Sequence, residues 1–396
     1  MKRSIIAFII MVELIVGGAL FYNIRYLYLE RTGASVPNQP VNKTPVTQVA
    51  TPAILANGVA LIPTENPATA PGLPLLDIPA VIFNLFSPLP IEASPSAYTI
   101  SEEMVTLGKI LFYEPRLSAN QQMSCNTCHP LDSYGADNRQ VPLSHDGTPG
   151  HRNAQSVYNA ALHISQFWDG RSPDVESQSK VPIVATGEMG MLEPGYVESI
   201  LRSIPGYAPL FSAAFPSNPE SITLDNAAIA IGAFERRLMT PSRFDRFLLG
   251  DRSQLTPEEQ QGLATFVNVG CSNCHVGVTV GGLLYKKLGE IVPYETDDLG
   301  RFNITGLDED KFVFKVPSLR NVARTFPYLH DGSVQTLEEM VILMGRHQLG
   351  KELNRDQVAS ITTFLHTLTG QIPLDYISPP QLPESGPNTP GPLDSN

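Results

Sequence analysis

The chain has no basic surplus: 27 Lys and Arg stand against 39 Asp and Glu, a formal net charge of −12 over 396 residues. With little to neutralise a phosphate backbone, nucleic acid is not expected as a partner. Cysteine is scarce as well, four residues in all, too few for a small secreted fold stapled by disulfides. Alternating apolar and polar runs of strand length are nearly missing, which argues against a sandwich or barrel. Tryptophan occurs once. Apolar residues are not lacking: at 42% of the chain they suffice for one large domain or two ordinary ones and exclude a disordered or collagenous protein. Proline is in excess, 35 against 30 glycines, so part of the chain is expected to lie outside packed structure.

That part is visible. Residues 5–22 (IIAFIIMVELIVGGALFY) form an apolar run behind Lys2 and Arg3, interrupted only by Glu13. The run is long enough to span a bilayer, and the basic residues before it direct the rest of the chain outward. It reads as an anchor in the inner membrane or as a cleaved signal; either way the protein is expected to be periplasmic. With its flank this segment occupies 1–35. A Pro-rich linker follows over 36–97, whose apolar patch LLDIPAVIFNLF (75–86) is suited to docking. The segment 378–396 is again Pro-rich and reads as a loose tail.

The remainder is expected to be mainly α with long loops. Ser101 opens a helix carrying Met104, Val105, Leu107, Leu111 and Phe112. Thr256-Pro257-Glu258-Glu259 combines an N-cap, a first-position proline and a capping-box glutamate. Thr336 with Glu339, and Asn354 with Gln357, cap two more. The first two helices each lead into Cys-x-x-Cys-His: Cys125, Cys128 and His129, then Cys271, Cys274 and His275. Helix followed by CxxCH is thus an internal repeat.

Two thiols three residues apart can bond the two vinyl groups of a haem, and the next histidine then lies in reach of the iron. Zinc would call for matched ligand pairs and give the following histidines no purpose. A thioredoxin-like redox pair would need a βαβ setting, and disulfides across three residues are strained. Two covalently bound haem c groups are expected, and they use every cysteine. Their second axial ligands decide the function: a closed iron transfers electrons, an iron with a removable ligand binds small molecules.

The segments CNTCHP, HDGTPGHRNAQSVYNAALHISQFWDGR, GEM, FERRLMTPSRFD, GCSNCH, VPSLRNV and FPYLHDGSVQTLEEMVILMGRHQLG together resemble the bacterial dihaem cytochrome c peroxidases, relatives of MauG. The resemblance implies two cytochrome c-like domains, a peroxidatic one over 98–250 and an electron-transfer one over 251–377. It implies that hydrogen peroxide is reduced to water with electrons from a small c-type cytochrome or cupredoxin. In its terms His145 is the removable distal ligand of the first haem, with His151 and His163 as nearby competitors. Met344 is the distal ligand of the second, with Met340 one turn away as the alternative. Glu188 is the acid/base and Gln178 a pocket glutamine, with Glu176 and Glu193 as weaker candidates. Trp168 lies between the haems. Asn153, by its side chain, and Thr325 and Pro327, by their carbonyls, hold Ca²⁺. A homodimer is implied too, although no interface is legible. Two other readings stay open, a MauG-like oxidase of protein side chains and a non-catalytic electron-transfer cytochrome. The methionine where MauG carries tyrosine argues against the former.

Overall fold

A computed structural model describes residues 80–393. The apolar run 5–22 and the linker up to residue 79 lie outside the described residues, and no helix among those described is long and apolar enough to cross a membrane.

The described chain is mainly helical. In order come α1 (Ala80–Phe83), α2 (Glu102–Phe112), α3 (Cys125–Cys128), α4 (Val175–Val184), α5 (Pro194–Ser203), α6 (Tyr207–Ala214) and α7 (Leu224–Glu235). Then follow α8 (Arg243–Leu248), α9 (Pro257–Val269), α10 (Phe302–Thr305), α11 (Leu337–Leu349), α12 (Arg355–His366) and α13 (Leu374–Ile377). The expected caps form. Ser101 accepts from the Met104 N–H at the start of α2, and capping boxes close the starts of α9, α11 and α12 through Thr256/Glu259, Thr336/Glu339 and Asn354/Gln357. A two-stranded antiparallel ribbon, β1 (Tyr285–Lys287) with β2 (Val313–Lys315), pairs Tyr285 with Lys315. Its three-residue strands are too short to show an alternating pattern.

Two main hydrophobic cores form among the described residues, with a smaller cluster around Leu288, Phe314 and Leu329. In the first, α2 packs on α7 and α7 on α4, around Leu107, Leu111, Phe112, Phe211, Ile231 and Phe234. In the second, α9 packs on α12 around Leu263, Phe266, Ile361 and Phe364. Both crossings need a glycine on the leading helix. A Cβ on Gly108 would strike the Ala230 carbonyl, and one on Gly262 the Ser360 carbonyl.

The ends of the described chain cross over. Ile82 and Phe86 join the second core, Phe86 against Phe244 with ring centroids 5.5 Å apart, and the Gly277 N–H donates to the Leu85 carbonyl at 2.8 Å. The segment from 378, expected to be loose, lies along the first core instead. Leu382 packs there, Arg116 donates to the Pro383 carbonyl at 2.8 Å, and the Leu393 N–H donates to Ala119 at 2.8 Å. Just before it, Tyr376 stacks on Phe234 at 5.1 Å. Prolines prevent a helix here without preventing side-chain packing.

The repeat runs deeper than helix plus CxxCH. Ser156 corresponds to Ser318, Asn159 to Asn321, and Trp168-Asp169-Gly170 to His330-Asp331-Gly332. Ser156 donates to Tyr134 and Ser318 to Thr279, each in the turn after its own CxxCH. The Asn153 N–H donates to the His330 carbonyl at 2.7 Å, and the Lys315 N–H to the Trp168 carbonyl at 2.8 Å. On the pseudo-axis stands Thr240, fully buried, whose hydroxyl accepts from both Asn159 (2.9 Å) and Asn321 (2.8 Å).

Candidate functional site

Each CxxCH occupies one helical turn, which brings the two sulfurs to one side and projects the histidine beyond them. The first is α3, with Thr127 closing a capping box on Ser124. The second follows the left-handed Gly270 at the end of α9 as a 3₁₀ turn, Cys271–Asn273. All four thiols are unpaired. Burial pushes Cys128 and Cys271 up to about 11 and raises Cys125 further. Among the described residues no group of three or more His, Cys, Asp and Glu could hold a metal ion by itself.

The histidines suit an axial role. His129 Nδ1 lies 3.2 Å from the Gly135 carbonyl, an engagement that fixes the tautomer and leaves Nε2 for a metal. Buried His275 Nδ1 faces the Val280 and Pro317 backbone without a hydrogen bond of good geometry. Beside it opens a cavity of about 220 Å³ lined by Cys271, Cys274, His275, Phe266, Leu329 and Leu365. Two thiols, an imidazole and an apolar wall are the donor set and surface a covalently held porphyrin requires. Met340 and Met344, one turn apart on α11, both line this cavity.

His145 sits at the tip of a hairpin, 142–150, closed by Ser144 N–H to Thr148 O at 2.8 Å and Gly150 N–H to Pro142 O at 2.7 Å. Its backbone is held twice: its N–H donates to the Glu188 carbonyl at 2.8 Å, and Asn120 donates to its carbonyl at 2.5 Å. Glu188 lies in the turn after α4. Pro182 inside that helix has no N–H for the Gln178 carbonyl, and the turn folds back through Met189 N–H to Pro182 O and Gly190 N–H to Ala185 O, at 3.0 and 2.9 Å. Burial raises the Glu188 carboxyl above its ordinary range, and Arg171 opposes the shift. That carboxyl also contributes to raising Cys128, so it lies on the side of the first CxxCH. His145 and Glu188 are therefore brought together, while Gln178 stands on the helix that leads into the Glu188 turn. Glu176 is occupied by Arg236 and Tyr98 at 2.6 Å, and His151 is exposed.

The indole of Trp168 donates to the Asn153 carbonyl at 2.9 Å and meets the His330 ring edge-on at 6.4 Å. Asn153, Thr325 and Pro327 line the same cavity as Trp168. The Asn153 amide nitrogen donates to Arg139 O at 3.0 Å.

Two features of this region escape sequence reasoning. Gly190, in the left-handed region at φ +74, has no room for a Cβ, which would overlap the His145 imidazole. Lys315 is buried, 1% exposed, with its ammonium 3.3 Å from His163 Nδ1. The signal available for the last pair was the repeat, which sets Lys315 opposite Asn153 and His163 opposite Thr325.

A model of the di-haem cytochrome c peroxidase family matches residues 102–253. The cytochrome c551 peroxidase of Pseudomonas aeruginosa is 42% identical, over 78% of this chain and 91% of its own. That of Nitrosomonas europaea is 42% identical, over 76% and 90%. Among solved structures, a MauG-like protein associated with microbial copper homeostasis superposes with a TM-score of 0.67 at 30% identity, covering 74% of this chain and 97% of that one. With its two CxxCH turns and this extent of likeness, the chain belongs to the di-haem cytochrome c peroxidase family.

Proposed function

We propose that the protein reduces hydrogen peroxide to water outside the cytoplasm, each peroxide consuming two electrons and two protons and yielding two waters. The electrons come one at a time from a small c-type cytochrome or cupredoxin. Export with residues 5–22 leading belongs to the same proposal. Two covalent haems, when bound at Cys125/Cys128 and Cys271/Cys274, supply the redox-active iron, the first in a peroxidatic domain (98–250) and the second in an electron-transfer domain (251–377).

In this reading His129 and His275 would each hold the iron of one haem, and Met344 on α11 would complete the second site, where a thioether favours a high potential. Trp168 stands between the two sites as a relay. His145 is the removable ligand: its hairpin is closed by its own hydrogen bonds, so it can swing as a unit once the Asn120 and Glu188 contacts break. Glu188 would carry a proton between the two peroxide oxygens, a role that its raised proton affinity suits, and Gln178 would orient the substrate. Asn153, Thr325 and Pro327 hold Ca²⁺, an oxygen-ligated cation, across the two halves.

The observation that carries the reading is the joining of His145 N–H to Glu188 O at 2.8 Å, which sets the gate and the acid/base on one pair of turns. Glu188→Gln in the haem-loaded, half-reduced protein is expected to lower peroxide turnover by about 10²–10⁴-fold. Undiminished turnover sinks the assignment.

A further inference from the structure

Lys315 is buried, and among the described residues no carboxylate lies within salt-bridge distance of its Nζ. Asp169, the carboxylate whose charge reaches Lys315, is already engaged by Arg152 at 2.6 Å and Arg171 at 3.1 Å. A charged ammonium is costly in such a place unless paired, and burial, opposed by the Asp169 charge, pushes Lys315 down to about 7.

Its one polar side-chain neighbour adds to the deficit. An ammonium only donates, so His163 Nδ1 must accept. Burial and the Lys315 charge hold His163 neutral, so the ring proton sits on Nε2. That Nε2–H is buried and finds no partner. Two donors, one charged, thus stand unanswered beside the cavity that also contains Cys271, Cys274 and His275. His163 is packed onto the loop following the second CxxCH, where a Cβ on Gly282 would meet its ring at about 2.5 Å. The place calls for an anion with two oxygen acceptors.

The group that two thiols and an imidazole would hold in this cavity is a porphyrin that carries carboxylate side chains. We propose that the Lys315 ammonium and the His163 Nε2–H together receive a haem carboxylate at the second site, and that this pairing raises the reduction potential of that site. The inference rests on reading Cys271, Cys274 and His275 as a haem attachment. The repeat adds weight: Lys315 and His163 occupy the positions that correspond to Asn153 and Thr325, where Ca²⁺ is proposed, so a positive charge stands at equivalent places in both halves. On one side it is a bound ion, on the other part of the chain.

The test uses the full-length protein with haem attached. Midpoint potentials of both haems are measured by spectroelectrochemistry in the parent and in Lys315→Met, Lys315→Arg and His163→Leu, with haem content counted by pyridine haemochrome. Loss of the cation leaves the carboxylate charge uncompensated and favours the oxidised iron. In Lys315→Met the reduction equilibrium constant of the second haem is therefore expected to fall at least tenfold, about 59 mV for one electron. The first haem should stay unmoved, Lys315→Arg within threefold of the parent, and His163→Leu should fall in the same direction by less. A lysine serving packing alone would leave the potential where it is. Unmoved potentials in Lys315→Met and His163→Leu, with two haems attached, overturn the proposal. Should Lys315→Met not accumulate as folded holoprotein, His163→Leu decides by the same criterion. Fewer than two haems in the parent would refute the underlying haem assignment instead.

Discussion

If His145 caps the first haem as proposed and leaves it only when the second haem is reduced, Gly190→Ala should convert that site from closed to open without reduction. Two effects act at this residue. Alanine in the left-handed region is strained by about 1–2 kcal/mol, and its Cβ overlaps the His145 imidazole. To regain ordinary carbon contact the ring must retreat by on the order of 1 Å, whereas a metal–nitrogen bond tolerates only about 0.2 Å. The ring cannot satisfy both demands. If the hairpin moves with it, the Asn120 and Glu188 hydrogen bonds go too, at about 0.5–1.5 kcal/mol each. The combined penalty, about 2–5 kcal/mol, lies within reach of a stability of about 5–15 kcal/mol, so the variant should fold. Electron paramagnetic resonance of the fully oxidised holoprotein should show one haem passing from low to high spin, and peroxide turnover should begin without prior reduction. Gly187→Ala, three residues away with nothing within 4 Å of its Cβ, is the control and should behave as the parent. Two low-spin haems in oxidised Gly190→Ala, with activation still required, would refute the placing of His145 at the iron.

Other consequences are as direct. Met344→His should abolish the near-infrared thioether-to-iron band and Met340→Leu should preserve it; the reverse outcome transfers the ligand to Met340. Glu235, 3% exposed, has its carboxyl pushed up to about 8 by burial, with Glu176 adding and Arg236 opposing. The native state therefore holds a proton that the unfolded chain releases near 4.5, and the associated stability, complete below that pH, is lost as pH rises through 8. Urea unfolding of Glu235→Gln should show a flatter pH dependence between these limits, and an unaltered slope would mean that Glu235 is not the group responsible. Truncation after Ile377 removes the Leu382 packing and the bonds at Pro383 and Leu393, and should lower stability by about 2–3 kcal/mol. Equal denaturant midpoints would show that the segment rests on the first core without supporting it.

The parts of the fold that were legible beforehand are local. A cap is settled within four residues, so Thr256/Glu259 or Asn354/Gln357 can be recognised wherever they occur, and CxxCH is shorter still. Long-range placement was harder. Nothing within residues 378–393 says that Leu382 packs under the first core, because the partner surface is formed by residues far back in the chain. Lys315 reads as an ordinary charge at the end of a short strand, and only the tertiary fold removes it from water. In the sequence His163 stands only as a competitor to His145, whereas in the fold it meets Lys315, a neighbour far along the chain. Glu188 and His145 were identified through the family resemblance rather than through periodicity, since each stands in a turn held by backbone hydrogen bonds.

The doubly bonded Thr240 hydroxyl gives this architecture a history. A residue on the pseudo-axis that receives matching amides from Asn159 and Asn321 is what a tandem duplication leaves where its two copies meet. Once such copies exist, paired positions are free to diverge while the scaffold keeps them in register, as Trp168 has from His330 and Asn153 from Lys315. The functional asymmetry proposed for the halves would then reside in a handful of side chains mounted on equivalent backbones. Exchanging those pairs is a direct way to ask how few residues distinguish a site that handles substrate from one that handles electrons.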